Sequence, residues 1–356
     1  MKKIILILVF IVTVLSCKVG VVNQKEMQLK PVVNLVADFE TDPVSKSDDA
    51  ADDSCIWIHK KDVSKSTIIG TNKQEGLVVY NLQGKEIYNY PIGRVNNVDL
   101  RDNFMFKGKK VTVVSSSNRT YNTITLHIVN ENTGELIDVT KRPIVSSVNE
   151  VYGLGMYKSP KTGKFYVIVN SKDGGVEQWE IFEDKGYIDA KVVRNIVVGG
   201  QTEGVVCDDY YGNLYIGEEE NALWKYNAEP NKGNKRTKII STEDLNMKAD
   251  FEGITIYDSG KGEGYVILSS QGNNSYAVFD RISNQYKGSF LLKDGKSIDG
   301  TYDTDGIDVT NVNFGGNYTK GFFVAQDGAN TKGKDSLNQN FKIINWKKIE
   351  EGLKLQ

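Results

Sequence analysis

The sequence predicts an all-β fold, a six-bladed β-propeller, and three observations carry that prediction. Glycine is abundant at 34 and proline scarce at 6, with 18 Tyr, 13 Phe and many Val and Ile; such a mixture favours strands joined by tight turns. A three-part pattern recurs six times along the 356 residues. Its repeat length is close to 50 residues, the size of a propeller blade of three or four strands.

The elements follow in order. Met1-Lys2-Lys3 is a positive n-region and Ile4 to Leu15 an apolar h-region, too short to span a bilayer. Val14-Leu15-Ser16-Cys17 reads as a bacterial lipobox, with Cys17 the residue to be lipidated; a plain secretory signal is the alternative. Residues 1–16 are then a signal peptide, 17–30 a tether and 31–356 the propeller domain. Either way the chain is exported. The lipobox places it on a bacterial membrane, the outer one by expectation because Lys18 is not an aspartate; a secreted or periplasmic protein is the other outcome.

The first part of each unit is an acidic residue followed by a short apolar run. These are DDSCIWIH (52–59), NVDLR (97–101), EVYGLGMY (150–157), TEGVVCDD (202–209), FEGITIYD (251–258) and TDGIDVT (304–310). Counted from Asp52, Asn97, Glu150, Thr202, Phe251 and Thr304, the spacings are 45, 53, 52, 49 and 53 residues. The second part is a β-rich run with a polar end, such as STIIGTNK, VTVVSSSNR and GYVILSSQG. The third is an alternating strand such as GLVVYNL, YAVFDRI or NFKIINWKKI, with the period of two that a half-buried strand needs. Val32 to Phe39 lies outside the first unit and is expected to complete the last blade. A large β-sandwich or two smaller β domains would also use these strands, but no Pro- or Ser-rich linker divides the chain.

In a propeller the innermost strands run the same way in every blade. Asp52, Asp53, Asp99, Glu150, Glu203, Glu252 and Asp305 therefore converge on one channel mouth. The second strands return to the same face with Lys73, Arg119, Lys172, Glu218, Glu219, Gln271 and Asp327. Converging carboxylates repel one another unless their pKa values rise or a multivalent cation neutralises them. Oxygen ligands without His or Cys select a hard ion, and calcium tolerates an irregular site.

Other chemistries are argued against. A net charge of −2 does not suit a nucleic-acid binder. With His59 and His127 the only histidines, multi-histidine zinc sites and histidine phosphatases are excluded, and both are read as structural. Asp299 to Gly306 looks like an EF-hand loop, but Thr301 and Val312 stand where its first and last ligands belong. No Gly-x-Ser-x-Gly, Walker or Cys-x5-Arg loop is present. Cys55 and Cys207 sit in apolar runs and read as buried thiols, with a disulfide between them left open.

A colinear series of motifs over residues 35–350 resembles the β-propeller phytases, the calcium-dependent alkaline 3-phytases. It comprises Asp49-Ala-Ala-Asp52-Asp53 with Ile56-Trp57, Asn96-Asn97-Val98-Asp99-Leu100-Arg101, Ser117-Asn118-Arg119, Glu150-Val151-Tyr152-Gly153 and Gln201-Thr202-Glu203-Gly204. It continues through Glu252-Gly253-Ile254-Thr255-Ile256-Tyr257, Ser269-Ser270-Gln271-Gly272-Asn273, Asp303-Thr304-Asp305-Gly306-Ile307-Asp308, Val324-Ala325-Gln326-Asp327-Gly328 and Asn338-Gln339-Asn340-Phe341-Lys342.

The resemblance implies hydrolysis of phytate, or calcium phytate, by water activated at several calcium ions. It implies active-site calcium ligands at Asp49, Asp52, Glu203, Glu219, Asp250, Glu252, Asp299 and Asp305. A more structural calcium would take Asp53, the Val98 carbonyl, Asp327 and Asn330. Lys73, Arg119, Tyr152 and Lys172 match phosphate-contacting positions, with Arg119, Lys172 and Glu203 expected to carry catalysis. A neighbouring subsite for the adjacent phosphate implies a preference for vicinal phosphates. The chain departs from the pattern at Gln74, where relatives often carry a lysine, at Asn149, where some carry a histidine, and at Ser54-Cys55, where Pro-Ala is usual. It is expected to act as a monomer that touches the membrane only through its lipid. A non-catalytic binding module and a calcium-dependent lactonase or phosphotriesterase are the rival functions.

Overall fold

The computed structural model describes residues 30–244 and 246–355, so the signal peptide, Cys17 and most of the tether lie outside the described residues. Six sheets of four or five strands carry the fold, and their innermost strands follow one another around a closed ring. Those strands are Ala51–Trp57, Val95–Phe106, Val151–Lys158, Thr202–Asp208, Phe251–Gly260 and Ile307–Thr310, numbered here as blades one to six. Each opens one of the six sequence repeats.

The period-two alternation explains the packing. Each sheet turns one row of apolar side chains to the blade before it and one to the blade after. Six separate apolar clusters result, one at each blade interface. Between blades two and three, for example, Leu126 and Ile124 meet Met156, Val167 and Trp179.

The ring closes differently from the expectation at Val32–Phe39. Only Phe39–Glu40 pairs with Asn340–Asn345 and completes blade six. Val32–Leu35 instead adds, in parallel, to Tyr286–Leu292 as a fifth strand of blade five. Val33 and Leu35 there pack on the apolar cluster between blades five and six, so one short segment clamps both.

A second difference lies at the C-terminus. The stretch read as one alternating strand stops at Asn345 and becomes a helix, Trp346–Leu353. The Asn345 side chain accepts the Lys347 N–H and caps it. Trp346, Ile349 and Leu353 fall at helical spacing on one buried face. Trp346 stacks on Tyr257 with ring centroids 3.9 Å apart.

Cys55 and Cys207 are free and buried. His59 Nδ1 accepts the N–H groups of Lys61 and Asp62, a turn-forming role.

Candidate active site

The acids reach the channel through a defect repeated in the sheets. In five blades the pairing of the innermost strand slips at the same place: between Ala51 and Ser54, Val95 and Val98, Val151 and Leu154, Thr202 and Val205, and Phe251 and Ile254. The residues inside the slip are Asp52-Asp53, Asn96-Asn97, Tyr152-Gly153, Glu203-Gly204 and Glu252-Gly253. A bulge re-aims a side chain, and here it turns one polar group per blade toward the axis. Glycine then permits close approach to the next blade. A Cβ on Gly204 would lie 2.0 Å from the Glu252 carbonyl oxygen, and one on Gly253 2.6 Å from that of Asp305. The Gly253 and Gly306 N–H groups donate to the Asp305 and Asp52 carbonyls at 2.8 and 2.9 Å, tying blade five to six and six to one.

Asp52, Glu203, Glu252 and Asp305 converge as buried or nearly buried groups. Lys73 Nζ stands 2.6 Å from Asp49, 3.0 Å from Asp52 and 3.0 Å from Asp305. Arg119 bonds Glu150 at 3.1 Å and the Asn96 side-chain oxygen at 3.2 Å. Asn96 in turn donates to Asp52 at 3.2 Å and Glu203 at 2.8 Å. The Tyr152 ring lies beneath both other cations, with Lys172 Nζ 4.5 Å and the Arg119 guanidinium 5.5 Å from its centroid. This is cation–π geometry, and it fixes where two positive charges stand.

The electrostatics are those of like charges crowded out of water. Burial and then the Asp305 charge push Glu203 up to about 7. Burial raises Glu219 and Asp305 to about 7 as well. Asp52 and Glu252 are driven well above the usual carboxylate range by burial and by Glu203. Burial opposes the charge on Lys73, but Asp52 and Asp305 outweigh it and hold the ammonium protonated. Glu203, Glu219 and Glu252 can each place an oxygen within 4.8 Å of the others. Glu219 Oε1 and Glu252 Oε2 are buried with no hydrogen-bond partner. Orphaned oxygens in a buried acidic trio, with no His or Cys beside them, fit a hard divalent cation.

Other expected positions are grouped differently. Asp53 faces the channel below the mouth, accepting from the Asn97 side chain and the Val98 N–H at 3.2 and 3.1 Å. Asp327 and Asn330 stand apart from that pair, around Lys342, whose ammonium lies 3.2 Å from Asp327 and 3.0 Å from Asn330. Asp299, expected among the active-site acids, joins this second group and also bonds Lys342. A fully buried ammonium thus balances Asp327, which the resemblance assigns to a structural ion, together with Asp299. Asp250 is close to the mouth, where its charge raises the Glu219 pKa. Asp99 is not at the mouth. It lies deeper, bonded to Arg101 and the Met156 N–H. Glu218 turns away, accepting from Gly200 and Trp224. Gln74 binds the Ser47 and Asp49 carbonyls and so shapes the loop that carries Asp49.

Asn96 and Gln326 gain roles that their sequence context did not announce, and Gln271, expected at the mouth, gains a definite partner there. Asn96 joins Arg119 to two acids. Gln271 donates to Asp305 at 2.8 Å, and Gln326 accepts the Asp305 N–H at 2.9 Å. The available signal was that Asn96 occupies, in blade two, the position that Asp52, Glu203 and Glu252 hold in blades one, four and five.

A site with clustered acids and cationic side chains, and with no activated Ser, Cys or His among the described residues, agrees with comparison to known proteins. A solved luciferin-regenerating enzyme shares the fold alone, at TM-score 0.53 and 10% identity, covering 85% of this chain and 95% of its own. A 3-phytase of Bacillus subtilis (strain 168) is 48% identical over 325 residues, 90% of this chain and 85% of the relative. The Phytase family profile matches residues 2–356. With its six blades, its ring of acids and this match along the whole sequence, the chain belongs to the phytase family.

Proposed function

We propose that this phytase hydrolyses phytate with calcium held at the channel mouth by Glu203, Glu219 and Glu252, assisted by Asp52, Asp305, Asp49 and Asp250. The observation that carries the reading is the pair of orphaned buried oxygens on Glu219 and Glu252, set beside a mouth that also presents Arg119, Lys172 and Lys73. Bound there, calcium would neutralise phosphate oxygens and acidify water. Arg119 is placed to grip an equatorial phosphate oxygen pair, with Asn96 and Glu150 fixing its plane. Lys172 adds a second charge over the Tyr152 ring. Lys73 holds Asp49, Asp52 and Asp305 together with all three of its N–H donors, so what it offers substrate is its positive charge. The attacking group is water, because the described mouth contains no activated Ser, Cys or His. Two cationic groups held at the Tyr152 ring favour substrates with vicinal phosphates.

The chain is further proposed to be a monomeric lipoprotein, exported and anchored through Cys17. Phosphate release from phytate, measured on chelator-stripped protein before and after calcium is restored, tests the catalytic reading. Release that depends on calcium supports it, and release at the full rate from verified metal-free protein overturns it. A binding module would release none in either state.

A further inference from the structure

Within each blade the first strand runs away from the mouth and the second returns to it. The turns joining strands one and two, and three and four, therefore lie on the opposite face of the ring. That far face carries Lys61, Lys109, Lys110, Lys161, Lys235 and Lys261, all exposed. Lys60 and Lys65 beside them are paired with acids, whereas these six enter no ion pair among the described residues. Tyr187, Tyr210, Tyr211 and Ile282 project from the same turns, 54%, 56%, 41% and 58% exposed. Lysines with aromatic and apolar tips suit the headgroup region of a membrane. The mouth has the opposite sign.

The chain also enters from this side. Tyr286–Leu292 climbs from the far face toward the mouth, and Val32–Leu35 runs parallel to it. The Pro31 carbonyl accepts the Ser289 N–H at 2.9 Å, so Lys30 approaches from the far-face end of blade five. Residues 18–29 separate Cys17 from that point, a reach of roughly 40 Å if fully extended. Such a tether by itself sets no orientation, and the charges decide it.

We propose that the lysine-bearing far face lies on an anionic membrane surface, with the acidic mouth turned away from it toward the solvent. The inference rests on the lipid-anchor reading for its setting, but its test does not use the lipid. The six blades are complete within the described residues, so a soluble chain beginning at Lys18 keeps the fold. Its cosedimentation is measured with phosphatidylcholine vesicles and with vesicles containing phosphatidylglycerol. Binding is expected only to the anionic vesicles, and it should weaken as salt is raised. The triple variant Lys109→Glu, Lys110→Glu, Lys161→Glu should lose roughly a hundredfold in partitioning, since each lysine near such a surface contributes about fivefold. The matched variant Lys296→Glu, Lys332→Glu, Lys334→Glu, on the mouth side, should bind as the parent does. Phytate hydrolysis in solution reports that both variants are folded. Equal binding to neutral and anionic vesicles, or equal losses in the two variants, overturns the proposal. The lipid anchor itself fails separately, if Cys17→Ser protein still remains with cell membranes after a high-salt wash that releases charge-held protein.

Discussion

Arg119 shows how much of this site depends on single side chains. It is nearly buried and held between Glu150 and Asn96, so it is oriented before any phosphate arrives. Arg119→Ala should cost about 2.7–4 kcal/mol of transition-state stabilisation, roughly a 100- to 1,000-fold loss in kcat. The melting temperature should stay within a few degrees, because the residue is not core; activity within twofold of the parent would remove it from the site. Asn96 acts through its neighbours. Asn96→Ala should lower kcat by about tenfold or more, the effect of losing buried hydrogen bonds of roughly 1–3 kcal/mol. It should also move the acid limb of the pH profile upward, because Asp52 and Glu203 lose a donor that favours their charged forms. A fall in kcat with an unmoved profile would leave Asn96 a packing residue.

At the scale of the element, the bulge and the glycine behind it work as one device. The slip turns the acid inward, and the glycine lets the next strand come close enough for the acids to meet. Gly204→Ala places a methyl against the Glu252 backbone, which cannot rotate away as a side chain could. Overpacking of this kind costs about 1–3 kcal/mol. The variant should melt lower and lose activity together, since the same shift separates Glu203 from Glu252. Unchanged melting with unchanged turnover would show that the ring does not need this contact. The C-terminal helix serves a different end. By stacking Trp346 on Tyr257 it seals the blade interface that Val33 and Leu35 also cover.

For the whole molecule, the acidic mouth makes stability depend on pH and on cation together. Glu203 and Glu219 are raised from 4.5 to about 7 in the folded chain, and Asp305 from 3.8 to about 7. Between about pH 4 and 7 the folded state therefore holds more protons than the unfolded state. By linkage these groups make the metal-free protein less stable as pH rises through that window. Calcium binds the deprotonated folded site and should reverse the trend, adding about 2.7 kcal/mol at a hundredfold excess over its dissociation constant. Melting curves of stripped and calcium-loaded protein at pH 5 and pH 8 should show the larger calcium shift at pH 8. A larger shift at pH 5 would contradict the assignment of Glu203, Glu219 and Asp305 as the titrating groups.

The repeat by itself determined the blade count, because alternation with a 50-residue period leaves few other ways to bury six apolar rows. It also indicated Asp52, Glu203, Glu252 and Asp305 as neighbours, since a recurring position in a closed ring returns to one end. The strand partners of Val32–Glu40 were not legible, because the segment pairs with blades more than 200 residues away and divides itself between two of them. Nor was the fate of Asp53, Asp99 and Asp299. On a bulged strand, adjacent residues face different ways, and a one-residue slip decides whether a carboxylate meets the mouth or the deeper channel, whereas Asp299 sits on the loop between Tyr286–Leu292 and Ile307–Thr310, whose path brings it to Lys342. The role of Asn96 was hidden for a related reason: an amide carries no charge to mark it, and its importance comes only from the Arg119, Asp52 and Glu203 side chains that the closed ring brings around it. Local pattern sets which residues can face the axis, whereas hydrogen-bond register and contact between blades set which of them meet.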